Sequence, residues 1–334
     1  MIGTTLFIAS AAVFNGTTVA PEQAPWFASL TTRAPYCGGA LIAPDRVLTA
    51  AHCVQGANPE RVSVRIGGVR RAWRGAIFPT TYHEVPSPVA PEDPRASATI
   101  DDLAVVLLEQ PITDIAPVPL ADSTVPGEPS LTLGRGRTGP GPSAGSSDLR
   151  GAAQVVSGDC PAAYGPKLFV PAQHLCTLDP KPAAAQACAG DSGGPVLVLR
   201  NGAWALAGVV TWGGETYGKD CGEGMPDVSE RVRPDVLTRA GTVAPWAERR
   251  VRVRRSGKVR RCVIGTWHPA GVTFKVRWWR EEQPTTDGQA IIPGKRTFLK
   301  GGGKTRTLKS GKVGCTVIAT TAGGWAAEET YNQL

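Results

Sequence analysis

Three short stretches of this 334-residue chain hold residue types that together do nucleophilic chemistry. Ser192 sits in the run GDSGGP (190–195), His52 in TAAHC (49–53), and Asp102 in DDLAVVLL (101–108). An alcohol is a weak nucleophile at neutral pH. It needs an adjacent base to take its proton, and the base needs a third group to hold its tautomer. A glycine-rich turn around Ser192 lets a carbonyl approach the backbone. The N–H groups of Gly190 and Ser192 would then supply the two donors that a developing oxyanion requires. An acid just before a buried-type strand is a carboxylate suited to orient His52. The chemistry implied is attack on a carbonyl, an acyl-enzyme, and its hydrolysis by water that His52 activates. It requires no cofactor.

In the order His, Asp, Ser, these motifs resemble those of the trypsin/chymotrypsin family of serine proteases, over residues 13 to about 248. The resemblance implies an all-β fold of two six-stranded antiparallel barrels with the triad His52, Asp102 and Ser192 between them. Its activity would be that of a secreted endopeptidase acting on protein or peptide substrates. Asp102, not Asp101, matches the family acid, because it directly precedes Leu103-Ala104. The same resemblance implies disulfides Cys37–Cys53, Cys160–Cys176 and Cys188–Cys221. Thr211-Trp212-Gly213 matches the strand that pairs with a substrate backbone, with Thr211 near Asp102. VFNG (13–16) matches the activating N-terminus, so that Val13, once freed, would pair with Asp191. Removal of a leader would itself create that terminus.

The specificity pocket departs from the pattern. Gln186 stands where trypsin carries its acid, and Asp227 stands where trypsin has a glycine; Gly213 leaves the mouth open. Asp227 can attract a basic side chain, narrow the pocket, or hydrogen-bond Gln186 and accept no charge. Gly134 is followed by Arg-Gly-Arg-Thr instead of the family's tryptophan. The stretch GGVRRAWRG, equivalent to a calcium loop, is basic, and no metal site is expected.

Seven short runs read as strands between turn signals: WFASL, ALIAP, RVLTAA, RVSVRI, LAVVLL, VLVLR and ALAGVVTW. Two Pro/Gly/Ser-rich loops, 79–99 and 134–148, are expected outside the core. The best helix candidate is 230–248. His83, His174 and His268 read as loop or surface histidines. Eight cysteines form an even set without a CxxC pair, which favours disulfides in an exported protein over zinc or redox chemistry. Residues 1–12 resemble the remnant of a signal peptide. No apolar run reaches the ~18 residues of a transmembrane helix.

Charge divides the chain. Residues 248–334 carry 18 Lys/Arg against 6 Asp/Glu, a net +12, while the first 247 carry 18 against 22, a net −4. Residues 249–260, alternating Val with Arg, read as a basic linker or a first strand. Residues 261–334 resemble a bacterial Ig-like β-sandwich: Cys262, a central Trp278 alternating inward with Phe274 and Val276, then Cys315. A basic domain suits an anionic cell-envelope surface, or it is simply a solvated face; no specific nucleic acid partner is implied. The competing reading of the whole is a catalytically silent protease-fold binding module, tethered to an anionic surface by that domain.

Overall fold

The computed structural model describes residues 13–233, except 33, 56, 58–60, 94–95, 140–144 and 182–183. Beyond them it describes 246–247, 252–256, 258–264, 267–268, 272–281, 285–286, 291–292, 296–302, 304–307, 313–320 and 325–332. Residues 1–12 and most of the helix candidate, 234–245, lie outside the described set. Glu230 and Arg231 belong to a strand, Asp227–Arg231, so the start of that candidate is not helical.

Two barrel-like sheets carry the site. In one, six strands close on themselves in the order Arg150–Val156, Pro129–Gly134, Pro195–Arg200, Ala203–Trp212, Asp227–Arg231 and His174–Leu178, the last pairing back to the first. A short strand, Thr17–Thr18, adds to the side of Arg150–Val156. The hairpin 195–212 shows how the sequence folds locally. Val, Leu and Ala runs flank Asn201-Gly202, both at positive φ (52° and 80°), the turn that matches the twist of a two-residue hairpin.

The other sheet runs Trp73–Pro79, Ala104–Leu108, Arg46–Thr49, Pro35–Ala43, Phe27–Thr31, Ser63–Ile66 and Val69–Arg71. Ala104–Leu108 (AVVLL) is buried at every position, as a central strand covered on both faces must be. The sequence runs anticipated seven strands but not Trp73–Pro79, Pro129–Gly134, Arg150–Val156, His174–Leu178 or Asp227–Arg231, nor the short Thr17–Thr18 and Val69–Arg71. The loop 79–99 also holds two short paired strands, His83–Val85 and Ala98–Ile100.

This second sheet does not end at Trp73–Pro79. Trp325–Asn332 pairs with it antiparallel, Trp325 opposite Pro79 and Glu328 opposite Ala76. Val313–Thr320, Thr273–Glu281 and Arg296–Gly302 follow, making eleven strands in all. Ala326 packs into the same apolar cluster as Trp73, Ala76 and Phe78. The C-terminal region thus covers what would be an open sheet edge. A separate three-stranded sheet (Arg252–Ser256, Val259–Val263, Thr305–Thr307) lies beside it, and the disulfide Cys262–Cys315 joins the two. Trp278 is fully buried opposite Cys315, and Val276 is buried; Phe274, expected inward with them, is largely exposed.

Candidate active site

His52 lies in the short helix Ala51–Val54, directly after the strand Arg46–Thr49. Asp102 lies just before the neighbouring strand Ala104–Leu108. The pairing of those strands, Ala104 opposite Thr49, brings the two side chains together. His52 Nδ1 meets Asp102 Oδ2 at 2.6 Å, and the His52 backbone N–H donates to Asp102 Oδ1 at 2.9 Å. The Thr99 hydroxyl donates to Oδ2 at 2.9 Å. Asp102 has no solvent exposure, while 26% of the His52 side chain remains open.

Burial alone would lift the Asp102 pKa, but the His52 charge, the bonds from His52 and that from Thr99 hold it below its ordinary value. For His52, burial disfavours the charged ring. The Asp102 charge and hydrogen bond outweigh that, helped by Glu84 and Glu215, and its pKa is raised. The imidazole is therefore a stronger base than a free one.

A layer behind the pair fixes it. The Asp102 N–H donates to Glu230 Oε2 at 3.2 Å. Asp101, at φ 53°, accepts from Gln173 and Arg233. His174 is fully buried, which corrects its assignment to a loop or surface. Its Nδ1 accepts from Val170 N–H and its Nε2 reaches the Thr99 carbonyl at 3.1 Å, so the proton resides on Nε2. Burial lowers its pKa to about 4, keeping it neutral and able to anchor Thr99. His83 is exposed, and the His268 side chain lies outside the described set.

Ser192 approaches from the other barrel. Its carbonyl accepts from Gly38 N–H at 2.8 Å, which ties the nucleophile loop to the strand Pro35–Ala43. Gly190 takes φ 97°, and a Cβ there would lie 3.0 Å from Gly136 Cα, so only glycine suits this turn. Neither Gly190 N–H nor Ser192 N–H donates to any partner among the described residues. The Ser192 hydroxyl is likewise unpartnered among them, and His52 Nε2 stands 3.6 Å from Cys53 Sγ. Catalytic hydrogen bonds of this kind are often formed only when substrate closes the site.

Asp191 is fully buried and accepts from Gly136 N–H at 2.6 Å and Cys188 N–H at 2.8 Å. Burial pushes its pKa up to about 7 against those two bonds. Val13 is buried with Ala152 and Ala185, and Phe14 bridges to Gln186.

The pocket residues converge. The Asp227 carboxylate accepts from Gln154 Nε2 at 2.6 Å and Ala187 N–H at 2.9 Å. Burial raises its pKa to about 7, opposed by hydrogen bonds from Ala187, Gln154 and Gln186 and aided by the nearby Glu215 charge. Gln186 itself braces the pocket wall, donating to Met225 O and accepting from Gly222 N–H. A Cβ on Gly213 would stand 3.2 Å from Glu215 Oε2 and 3.6 Å from Asp227 Oδ1. Glu215 and Gln154 were not singled out in the sequence; Glu215 follows the TWGG run by no recognisable motif. The Thr211 hydroxyl donates to Val228 O at 3.0 Å, and the hydroxyl that bonds Asp102 is that of Thr99.

Disulfides join Cys37–Cys53, Cys160–Cys176 and Cys188–Cys221. Two groups within ligand distance of one another, Cys37/His52/Cys53 and Cys188/Asp220/Cys221, owe their sulfurs to these bonds and offer no thiolate to a metal.

A profile of the trypsin family matches residues 13–246. The chain belongs to the trypsin family. It is 32% identical over 203 residues to a trypsin of Saccharopolyspora erythraea, covering 59% of this chain and 82% of that protein. It is 26% identical over 247 residues to a vitellin-degrading protease of Bombyx mori, covering 72% and 85%. Mouse neuropsin, a serine protease, shares the fold with TM-score 0.55 at 24% identity, over 68% of this chain and 98% of neuropsin. This trypsin-family chain is a serine endopeptidase. Among its described residues no helix is long and apolar enough to cross a membrane.

Proposed function

We propose that the protein is a secreted endopeptidase in which Ser192 is the nucleophile, His52 the general base and Asp102 the group that orients the base. The observation that carries this reading is the 2.6 Å contact of His52 Nδ1 with a fully buried Asp102. It leaves Nε2 to take the Ser192 proton, and the raised His52 pKa favours that transfer. Ser192 Oγ then bonds the scissile carbonyl carbon. The oxyanion lodges against the unpartnered N–H groups of Gly190 and Ser192. His52 passes its proton to the leaving amine, and in the second half takes one from water to release the acid product. A fluorophosphonate probe tests this: it should label the wild type and not Ser192→Ala, and failure to label the Val13-terminal form would overturn the reading.

Asp227, buried and bonded only to neutral donors, supports a preference for Lys or Arg before the scissile bond. A cleaved chain beginning at Val13 would bring an α-ammonium to Asp191, the activating step. Four disulfides support export. An Ig-like character for residues 261–334 is supported by the disulfide joining two sheets and by Trp278 opposite Cys315. The catalytic unit would then be 13–248, with 249–260 as the connection.

A further inference from the structure

A cavity of about 630 Å³ opens on the sheet that carries Phe27–Thr31 and Ser63–Ile66, away from the triad, lined among others by Ser29, Arg61, Arg65, Arg70 and Arg135. Its size is that of a ligand site. Three of its lining residues form one row across adjacent strands, Ser29 opposite Arg65 and Arg65 opposite Arg70, and Gly38, opposite Ser29, continues that row beyond the cavity. Residues directly opposite share one face of a sheet, and like charges placed so repel. Arg65 and Arg70 form no ion pair among the described residues, and Arg135 feels Asp148 only through its charge, without an ion pair. Arg65 donates only to Gly68 O, and Arg135 to Ser147 O. A second feature points the same way. The Ser29 hydroxyl, with no hydrogen-bond partner among the described residues, opens to the cavity beside them. Guanidiniums beside an open hydroxyl make a receptor for carboxylate oxygens.

The row also measures the distance to the chemistry. Gly38 binds the Ser192 carbonyl. At about 4.8 Å per strand, Arg65 lies roughly 10 Å and Arg70 roughly 15 Å from Gly38. That is three to five residues of extended peptide, at about 3.3 Å each. The strand Pro35–Ala43 that rims the cavity at Pro35 is bridged by Cys37–Cys53 to the residue beside His52. His52 serves the leaving amine, whereas Gln186, Gly213 and Asp227 belong to the other side of the scissile bond.

We propose that this cavity binds an acidic segment of the substrate protein, three to five residues beyond the scissile bond on its leaving-group side. The placement on a substrate rests on the proteolytic reading; the binding of an acidic peptide does not. Two peptides with the same Arg before the scissile bond, one with Glu at the third to fifth leaving-side positions and one with Gln there, are compared on the full chain. The acidic peptide should show a KM about tenfold lower with kcat unchanged, two exposed charge contacts acting together. The difference should shrink as salt is raised. The double variant Arg65→Gln/Arg70→Gln should erase the difference while hydrolysing the Gln peptide and a small ester as the wild type does; Arg65→Lys/Arg70→Lys should restore most of it. Direct binding is read by anisotropy of the labelled acidic peptide on Ser192→Ala protein. If wild type hydrolyses nothing, the protease reading fails and the anisotropy still decides the site. Equal KM values, or equal anisotropy with and without Arg65 and Arg70, would overturn the proposal. So would loss of discrimination in Arg254→Gln/Arg261→Gln alone, which would move binding to the C-terminal sheet.

Discussion

Asp102 and Asp227 are both buried carboxylates fed by several hydrogen-bond donors, yet their pKa values move in opposite directions. Asp102 falls below its ordinary value and Asp227 rises to about 7. Burial acts alike on both; the difference is a partner. Asp102 has His52 at 2.6 Å, while Asp227 has Gln154, Gln186 and a backbone N–H, all neutral. A buried acid without a cation is costly to ionise. Asp102 is therefore complete within the chain, and Asp227 is an acid whose counterion must come from outside. Asp191 falls in the second class, with two backbone donors, no ion pair among the described residues, and a pKa also pushed to about 7.

The largest break of this comparison is Asp102→Asn. It keeps the shape but removes the charge that holds the His52 tautomer. The effect on kcat should be on the order of 10⁴-fold, the scale known for this change in a triad protease. The acid limb of kcat/KM should shift as well. In the wild type it lies above 6.5, because His52 must be neutral to act and its pKa is raised. In the variant it should move down. An unmoved limb would mean that Asp102 does not set the basicity of His52.

Next comes the terminus. Freeing Val13 should give Asp191 its cation, and a chain still carrying residues 1–12 should be weaker by about 10³-fold, the cost of an uncompensated buried charge. The sign of the pH dependence follows. Pairing with Asp191 raises the α-amino pKa above its ordinary ~7.7–8.0. The stabilising pair is thus present below that value and lost as pH rises through the folded-state pKa. A pH–activity profile of the Val13-terminal protein should show this alkaline limb, and acetylation of the terminus should abolish activity. Full activity of the uncut chain would remove Asp191 from the comparison.

The triad was readable because its chemistry demands rare residues in fixed local settings, each beside a strand or turn with a strong pattern. Strand runs such as AVVLL at 104–108 were readable for the same reason: full burial leaves an unbroken apolar string. Glu215 and Gln154 were not readable. Neither has a local signature, and each acquires its role only when the closed barrel brings 154, 186, 213 and 227 together. His174 shows the limit differently. A histidine in a strand of mixed character reads as exposed, but Thr99 O and Val170 N–H, both set by tertiary packing, satisfy it in the core. The edge pairing of Trp325–Asn332 with Trp73–Pro79 is likewise a contact between segments some 250 residues apart, which composition alone cannot register.

The smallest break, and the one that most sharpens the contrast, is Asp227→Asn. If Asp227 awaits a substrate cation, the variant should lose about 10²-fold in kcat/KM for Lys or Arg before the scissile bond, the scale of truncating one partner of a buried charge pair. It should lose nothing for Gln there, because Asn removes an unpaired buried charge and keeps a polar group in the pocket. Asp227 must be ionised to hold a cation, so discrimination in favour of basic over neutral side chains should grow as pH rises through about 7 in the wild type and be flat in the variant. Taking the ratio of the two substrates cancels His52, which titrates identically for both. A ratio independent of pH would mean that Gln154 and Gln186 already satisfy Asp227, and that it shapes the pocket without charging it.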